Sequence, residues 1–311
     1  MNSKRLMTLM GPFIGLLFVV VLFGALEPSF LSTRNLMTVA IQTVIVGLGA
    51  IGMTFVIVSG GIDLSIGSVI ALASVVTALA ARAGFSPPVA VIAGVTAGGL
   101  CGALNGWLVT RLSIVPFIVT LGMMGVARGV AKWLSAEQTV TPSPEASDAL
   151  ALLASKTTTS PGIWMTILLA VLMALVLKRT VFGTHTYALG SSEDTARLCG
   201  VQVERTKVWI YTLCGVFGGL GGVMTFARLS VGDPTTAIGK ELDVIAAVVI
   251  GGASLSGGKG SILGSMIGAL LMAALANGCN LTGVPNFVQE ILIGAIIVAA
   301  VALDRVRSDR K

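Results

Sequence analysis

Charge is scarce in this chain. Only 11% of its 311 residues are Asp, Glu, Lys or Arg, against 55% hydrophobic residues and a mean hydropathy of +0.95. That balance excludes a soluble domain and places the chain among polytopic helical membrane proteins. Histidine is nearly absent, with His185 standing alone. The four cysteines, Cys101, Cys199, Cys214 and Cys279, are scattered, mostly inside apolar runs, without metal-ligand spacing. A zinc site and a disulfide framework are both disfavoured by that scatter. No Ser-His-Asp set, carboxylate pair or metal cluster rises above chance, so the sequence offers no catalytic site and no metal site. The net charge of +6 does not imply nucleic acid. In a membrane chain, the side on which the basic residues lie matters more.

Long apolar runs are what the chain has in abundance. About ten spans are expected, near 10–26, 36–58, 66–81, 89–110, 114–133, 162–178, 207–227, 242–256, 261–280 and 286–303. The first follows Lys4 and Arg5 as a signal peptide would, but it lacks a small-x-small cleavage site and reads as an uncleaved span. The third and eighth are too short or too glycine-rich for straight spans of about 20 residues. With the N-terminus inside, 13 of the 20 basic residues fall on cytoplasmic segments, among them Arg305, Arg307, Arg310 and Lys311. Lys156 counts as external. This excess predicts a multi-pass protein with both termini cytoplasmic.

An internal repeat is visible at an offset of 172 residues. It pairs Gly47-Leu48-Gly49 with Gly219-Leu220-Gly221, Gly60 with Gly232, Ile66-Gly67 with Ile238-Gly239, and Asn105-Gly106 with Asn277-Gly278. Spans 2–5 then map onto spans 7–10. A displacement of five crossings inverts the second half, and the short spans 3 and 8 fall in matching places. Interrupted helices in corresponding positions of inverted halves point to a transport pathway.

Three polar stretches interrupt the apolar pattern. Gly183–Lys207 contains a candidate short helix from Glu193 to Leu198, ending at Gly200, with an acidic first turn and a later Arg. It is either a solvated loop or a docking element. Ser59–Ser68 links spans 2 and 3. Its paired glycines, Gly60 and Gly61, permit a sharp turn, and Asp63 belongs at a helix N-terminus or beside a polar cavity. Leu242–Gly264 carries Gly251-Gly252 and Gly257-Gly258, which permit a broken helix. Its end fails the phosphate-loop pattern, because Ala253 stands at the first glycine and Gly260 follows Lys259. Glu241 and Asp243 suit a helix N-terminus, although a proton relay is the competing reading. His185 reads as a solvated loop residue. The external stretch 135–161, rich in Ser, Thr, Pro and Ala, reads as a flexible linker, with a contact for an external partner as the competing reading.

Four ordered motifs then carry a resemblance over about residues 10–305. They are GGIDLSIGS, NG followed by VPFIVTLG, YALGSSEDTARLCGV, and ELDVIAAVVIGGASLSGGKGS. Together they resemble the permease subunits of bacterial ribose-type sugar ABC importers. The resemblance implies an all-α fold and one transmembrane domain over 1–311, in the bacterial inner membrane. It implies a permease dimer, homomeric or heteromeric, a periplasmic sugar-binding protein, and a cytoplasmic ATPase with two nucleotide-binding halves. ATP and Mg would be used by that ATPase and no cofactor bound by this chain. The segment 183–207 becomes the cytoplasmic coupling segment, with Ser192, Glu193, Ala196, Arg197, Leu198 and Gly200 as the ATPase-docking coupling helix. Many relatives carry Asn where this chain has Ser192, and Ser caps helices nearly as well. The translocation path is expected to pass Gly60, Gly61, Asp63, Ser65, Asn105, Gly251, Gly252 and Ser256. With only 5% aromatics, a deep high-affinity sugar site in the membrane is not expected. A proton-coupled secondary transporter is the competing class.

Overall fold

The computed structural model describes residues 3–155, 157 and 160–308. Among them are thirteen α-helices: α1 (Ser3–Leu26), α2 (Thr33–Val58), α3 (Ile66–Arg82), α4 (Pro87–Arg111), α5 (Pro116–Ser135), α6 (Pro144–Ala151), α7 (Pro161–Arg179), α8 (Val181–Ser191), α9 (Glu193–Leu198), α10 (Val203–Leu229), α11 (Lys240–Ile250), α12 (Ile262–Leu281) and α13 (Asn286–Ser308). Lys156, Arg310 and Lys311, which entered the charge asymmetry, lie outside the described residues. Four helices open on proline (α4 to α7), where the missing N–H would have had no partner in the first turn. Six helices, α2, α4, α5, α7, α10 and α12, are long and apolar enough to cross a membrane; Gly11–Leu26, α3 and Asn286–Ala299 are shorter apolar helices.

Burial sorts these helices into an inner and an outer set. The apolar window of α2 is 89% buried, and those of α10 and α12 are 78% and 72% buried. The windows of α4, α5 and α7 are 28%, 28% and 17% buried, so their apolar faces are left for lipid or another chain. Glycine lets α4 and α10 approach closely. Gly98 and Gly102 of α4 face Gly215 and Gly219 of α10, and a Cβ at Gly215 would stand 2.8 Å from the Gly102 Cα. Small residues at such a crossing allow backbone contact where no hydrophobic drive separates helix from lipid.

Three segments differ from the sequence expectation. The helix expected over 242–256 stops at Ile250. Gly251 caps it and Gly252 takes a positive φ of 92°, so the chain turns away. The described residues of the stretch 135–161 are folded rather than a linker. Val140 pairs with Gly232, α6 buries Leu150, and Ser147 donates to the Ser230 carbonyl at 3.3 Å. Residues 149–154, an apolar piece within it, therefore pack against α10. Residues 181–191 form α8, which makes His185 a helical residue of intermediate exposure instead of a loop residue.

The short helices α3 and α11 both begin inside the bundle. Gly218 lies against Ile66 and Val69, and Gly218 is about 22 Å along α10 from Val203. Residues 59–65 therefore climb from the end of α2 before α3 starts. The first turn of α11 meets the first turn of α3. A Cβ at Gly67 would strike the Glu241 carboxylate and stand 2.7 Å from the Ala237 carbonyl. The acidic residues Glu241 and Asp243 occupy the first turn of α11, the position that a helix dipole favours.

Candidate functional site

Helix α9 is a single, fully capped turn-and-a-half at one end of the bundle. Ser192, with extended φ and ψ of −166° and 113°, accepts from the Thr195 N–H at 3.2 Å. Glu193 and Asp194 sit in the first turn. At the other end Gly200 takes φ +84°, its N–H bonds the Arg197 carbonyl, and the Val201 N–H reaches back to the Ala196 carbonyl at 3.0 Å. That pair of bonds is a Schellman motif. So short a helix would not persist on propensity alone; the caps and neighbouring contacts hold it.

Those contacts are ionic. Glu193 binds Lys207 at 2.5 Å, and Arg197 binds Glu204 at 2.6 Å and approaches Glu193 at 3.7 Å. The network latches α9 to the first turns of α10. The hydrogen bond that Arg197 donates to Glu204, with the charges of Glu204, Glu193 and Asp194, raises the Arg197 pKa, so Arg197 stays charged. Ala196 is 3% exposed and faces inward, whereas Leu198 is 89% exposed. A cleft of about 310 Å³ adjoins the helix, between the α4–α5 turn at Ser113 and the charges of Glu193, Arg197, Glu204 and Lys207. Of the expected docking residues, Glu193 and Arg197 are thus engaged within the chain, and Leu198 is the side chain left free to meet a partner.

Behind α9 lies a junction of three glycine backbones. Gly190, near the end of α8, packs so closely on the Val58 carbonyl and the Gly258 N–H that any side chain would strike both. The Gly258 N–H in turn donates to the Val58 carbonyl at 2.9 Å. Tyr187 of α8 donates its hydroxyl to the Gly260 carbonyl at 2.8 Å, and Phe182 stacks on Phe55 with centroids 5.8 Å apart. The end of α2, the turn after α11 and α8 therefore form one packed unit. Gly60 lies at its edge with φ +84°; Gly251 abuts Gly264, and Ser256 is exposed at the tip of the turn.

The remaining expected path residues gather elsewhere. Asp63 accepts from the Ser65 hydroxyl at 2.5 Å and from its N–H at 2.8 Å, and Asn105 donates to the Ser65 hydroxyl at 3.0 Å. Asp63, Ser65 and Asn105 are 2%, 0% and 0% exposed. They fix the start of α3 against α4. The Asn105 carbonyl oxygen and the hydroxyl of Tyr211, which crowds Gly61, lack hydrogen-bond partners among the described residues. The eight expected residues thus split between a sealed polar cluster and the glycine junction. Sequence reasoning took Gly190 only as the start of the expected docking segment and did not single out its packing role, nor Tyr187 or Glu204. For that role Gly190 stood out only as one glycine among 39, and Glu204 only as an acidic residue opening an apolar helix.

Comparison with known proteins identifies the family. Residues 35–301 match the family described as branched-chain amino acid transport system, permease component. A ribose import permease protein of Bacillus subtilis (strain 168) is 41% identical, over 86% of this chain and 84% of that protein. An L-arabinose ABC transporter permease protein of Azospirillum brasilense is 38% identical, over 82% and 76%. A fructose import permease protein of Rhizobium meliloti is 36% identical, over 86% and 77%. No solved structure gives a significant match. With a family model covering most of its length and relatives aligned over most of theirs, the chain belongs to this family of transport permeases and is a multi-pass, non-catalytic membrane subunit of an ABC importer.

Proposed function

We propose that the chain forms the translocation path for a monosaccharide or related small polyol and is driven by ATP hydrolysed on a separate subunit. Supporting the substrate class, relatives at 36–41% identity are named for ribose, arabinose and fructose. The observation that carries the energy source is α9. It is a rigidly capped helix with an exposed Leu198, latched by ion pairs and wedged through Gly190 against both glycine turns. A push on α9 would reach the end of α2 and the turn after α11 without passing through a flexible linker.

In this reading α9 lies in the cytoplasm, both termini are cytoplasmic, and the membrane is the bacterial inner membrane. A cytoplasmic ATPase with two nucleotide-binding halves docks on α9 and uses ATP and Mg. A periplasmic binding protein delivers the sugar at the opposite end. A second permease, identical or homologous, packs on the apolar outer helices, and the pair alternates access. Helix limits support the inverted repeat. Adding 172 to α2–α5 gives 205–230, 238–254, 259–283 and 288–307, beside 203–229, 240–250, 262–281 and 286–308 for α10–α13. The offset also pairs Gly60–Gly67 with Gly232–Gly239, the approach to α11, so that Gly251–Gly258 lies at the far end of α11.

The test is uptake in proteoliposomes holding the permease, with ATPase and sugar-loaded binding protein added or omitted. Accumulation should require both and ATP. Accumulation by the permease alone, driven by a proton gradient, overturns the proposal.

A further inference from the structure

We propose that a cavity at the end of the bundle remote from α9 is a weak receiving site for one neutral monosaccharide; this rests on the sugar-import reading above. The cavity holds about 210 Å³, the liquid share of about seven waters. That suits a single small solute. Its walls are Gln42 of α2, Thr225 and Arg228 of α10, and Asn280 of α12. Thr225 lies about 33 Å along α10 from Val203, near the end of the helix opposite α9. That is about one hydrocarbon thickness, so a solute released on the far side meets this cavity first.

The polar groups facing the cavity have capacity to spare. The side chains of Gln42, Arg228 and Thr236 make no hydrogen bond or ion pair with the described residues. Thr225 donates to the Gly221 carbonyl at 2.8 Å and keeps its oxygen as an acceptor. Unused donors and acceptors around a small space are what a polyol needs, and a guanidinium fork can span two neighbouring hydroxyls. Lys240 and Asp243, which also line the space, are paired with each other at 2.5 Å. Their charges cancel, leaving Arg228 as the single unpaired charge and hydrogen bonding as the main recognition. None of the described lining residues is aromatic. Without a stacking face the site binds weakly, as a relay between binding protein and cytoplasm must.

The floor of the site ties it to the moving parts. Ala237 and Lys240 line the cavity, while the Ala237 carbonyl and the Glu241 carboxylate press on Gly67. The approach to α11 is itself held from outside, where Arg128 donates to the carbonyls of Pro234 and Thr236 at 2.8 and 2.6 Å. The cavity is thus closed beneath by the meeting of α3 and α11, and parting those two helix starts would open it inward.

The experiment uses the assembled transporter in liposomes with its binding protein, and ribose, arabinose and fructose as probes. Gln42→Leu and Asn280→Leu each lower uptake of the transported sugar roughly fivefold, and together about 25-fold, while ATP hydrolysis still responds to the binding protein. Wild-type uptake in the double variant overturns the site and leaves the import reading intact. No uptake of any sugar by the wild-type complex overturns both. Should the leucine variants fail to assemble, Ala276→Cys in a chain without the four native cysteines is labelled with a small water-soluble thiol reagent. Transported sugar in excess should slow labelling. Labelling unchanged by sugar, or slowed only by a sugar acid, overturns the proposal.

Discussion

Truncating one exposed side chain tests the docking role of α9. Leu198 is 89% exposed, so almost its whole surface is available to a partner. Fully burying a leucine side chain is worth about 1.5–3 kcal/mol. Leu198→Ala should therefore weaken ATPase binding by about 10- to 150-fold. The helix itself should survive, since alanine favours helix at least as well as leucine and the Ser192 and Gly200 caps are untouched. Permease in lipid nanodiscs, titrated with purified ATPase, reads the affinity directly; insertion and thermal stability serve as controls. An affinity within twofold of wild type would show that Leu198 is not at the contact and that α9 docks by another face.

The other predictions concern the latch, the junction and the core. Glu204→Gln removes the 2.6 Å ion pair to Arg197; because both groups are exposed, stability should barely change, while ATPase affinity should drop several-fold through loss of α9 orientation, measured in the same titration. Gly190→Val cannot be seated without separating Val58 from Gly258. Overpacking of this kind costs about 1–3 kcal/mol, so the complex should assemble and hydrolyse ATP but transport little sugar per ATP; wild-type coupling would refute a rigid junction. Gly102→Leu drives a side chain into the Tyr211 carbonyl and the Gly215 backbone, and should lower the thermal stability of the purified permease in detergent, followed by its unfolding midpoint.

Most of the helices were legible because their apolar runs are long and bounded by Pro, Gly or charge. The cap residues Ser192 and Gly200 announced α9 from local chemistry alone. What the sequence withheld depends on contacts between distant segments. Nothing local distinguishes Gly190, which seats against Val58 and Gly258, from the glycines that face lipid. Glu193 and Arg197 stand four apart and read as a docking pair, but Lys207 and Glu204 claim them across a turn. Asp63 read as a helix N-cap with the path as the competing reading, since its closure by Ser65 and Asn105 depends on α4 lying alongside. The stretch 135–161 looked like a linker because its composition is polar, and only Val140 and Leu150, meeting the end of α10, order it.

The central claim is that α9 faces the cytoplasm and is covered by the ATPase, and the chain carries its own probe. Cys199 follows Leu198 and is exposed, while Cys214 and Cys279 are buried and Cys101 is intermediate. A membrane-impermeant maleimide applied to inside-out vesicles should label Cys199 when the ATPase is absent and fail to label it once the ATPase is bound. Labelling from the periplasmic face, or equal labelling with and without bound ATPase, would contradict the account.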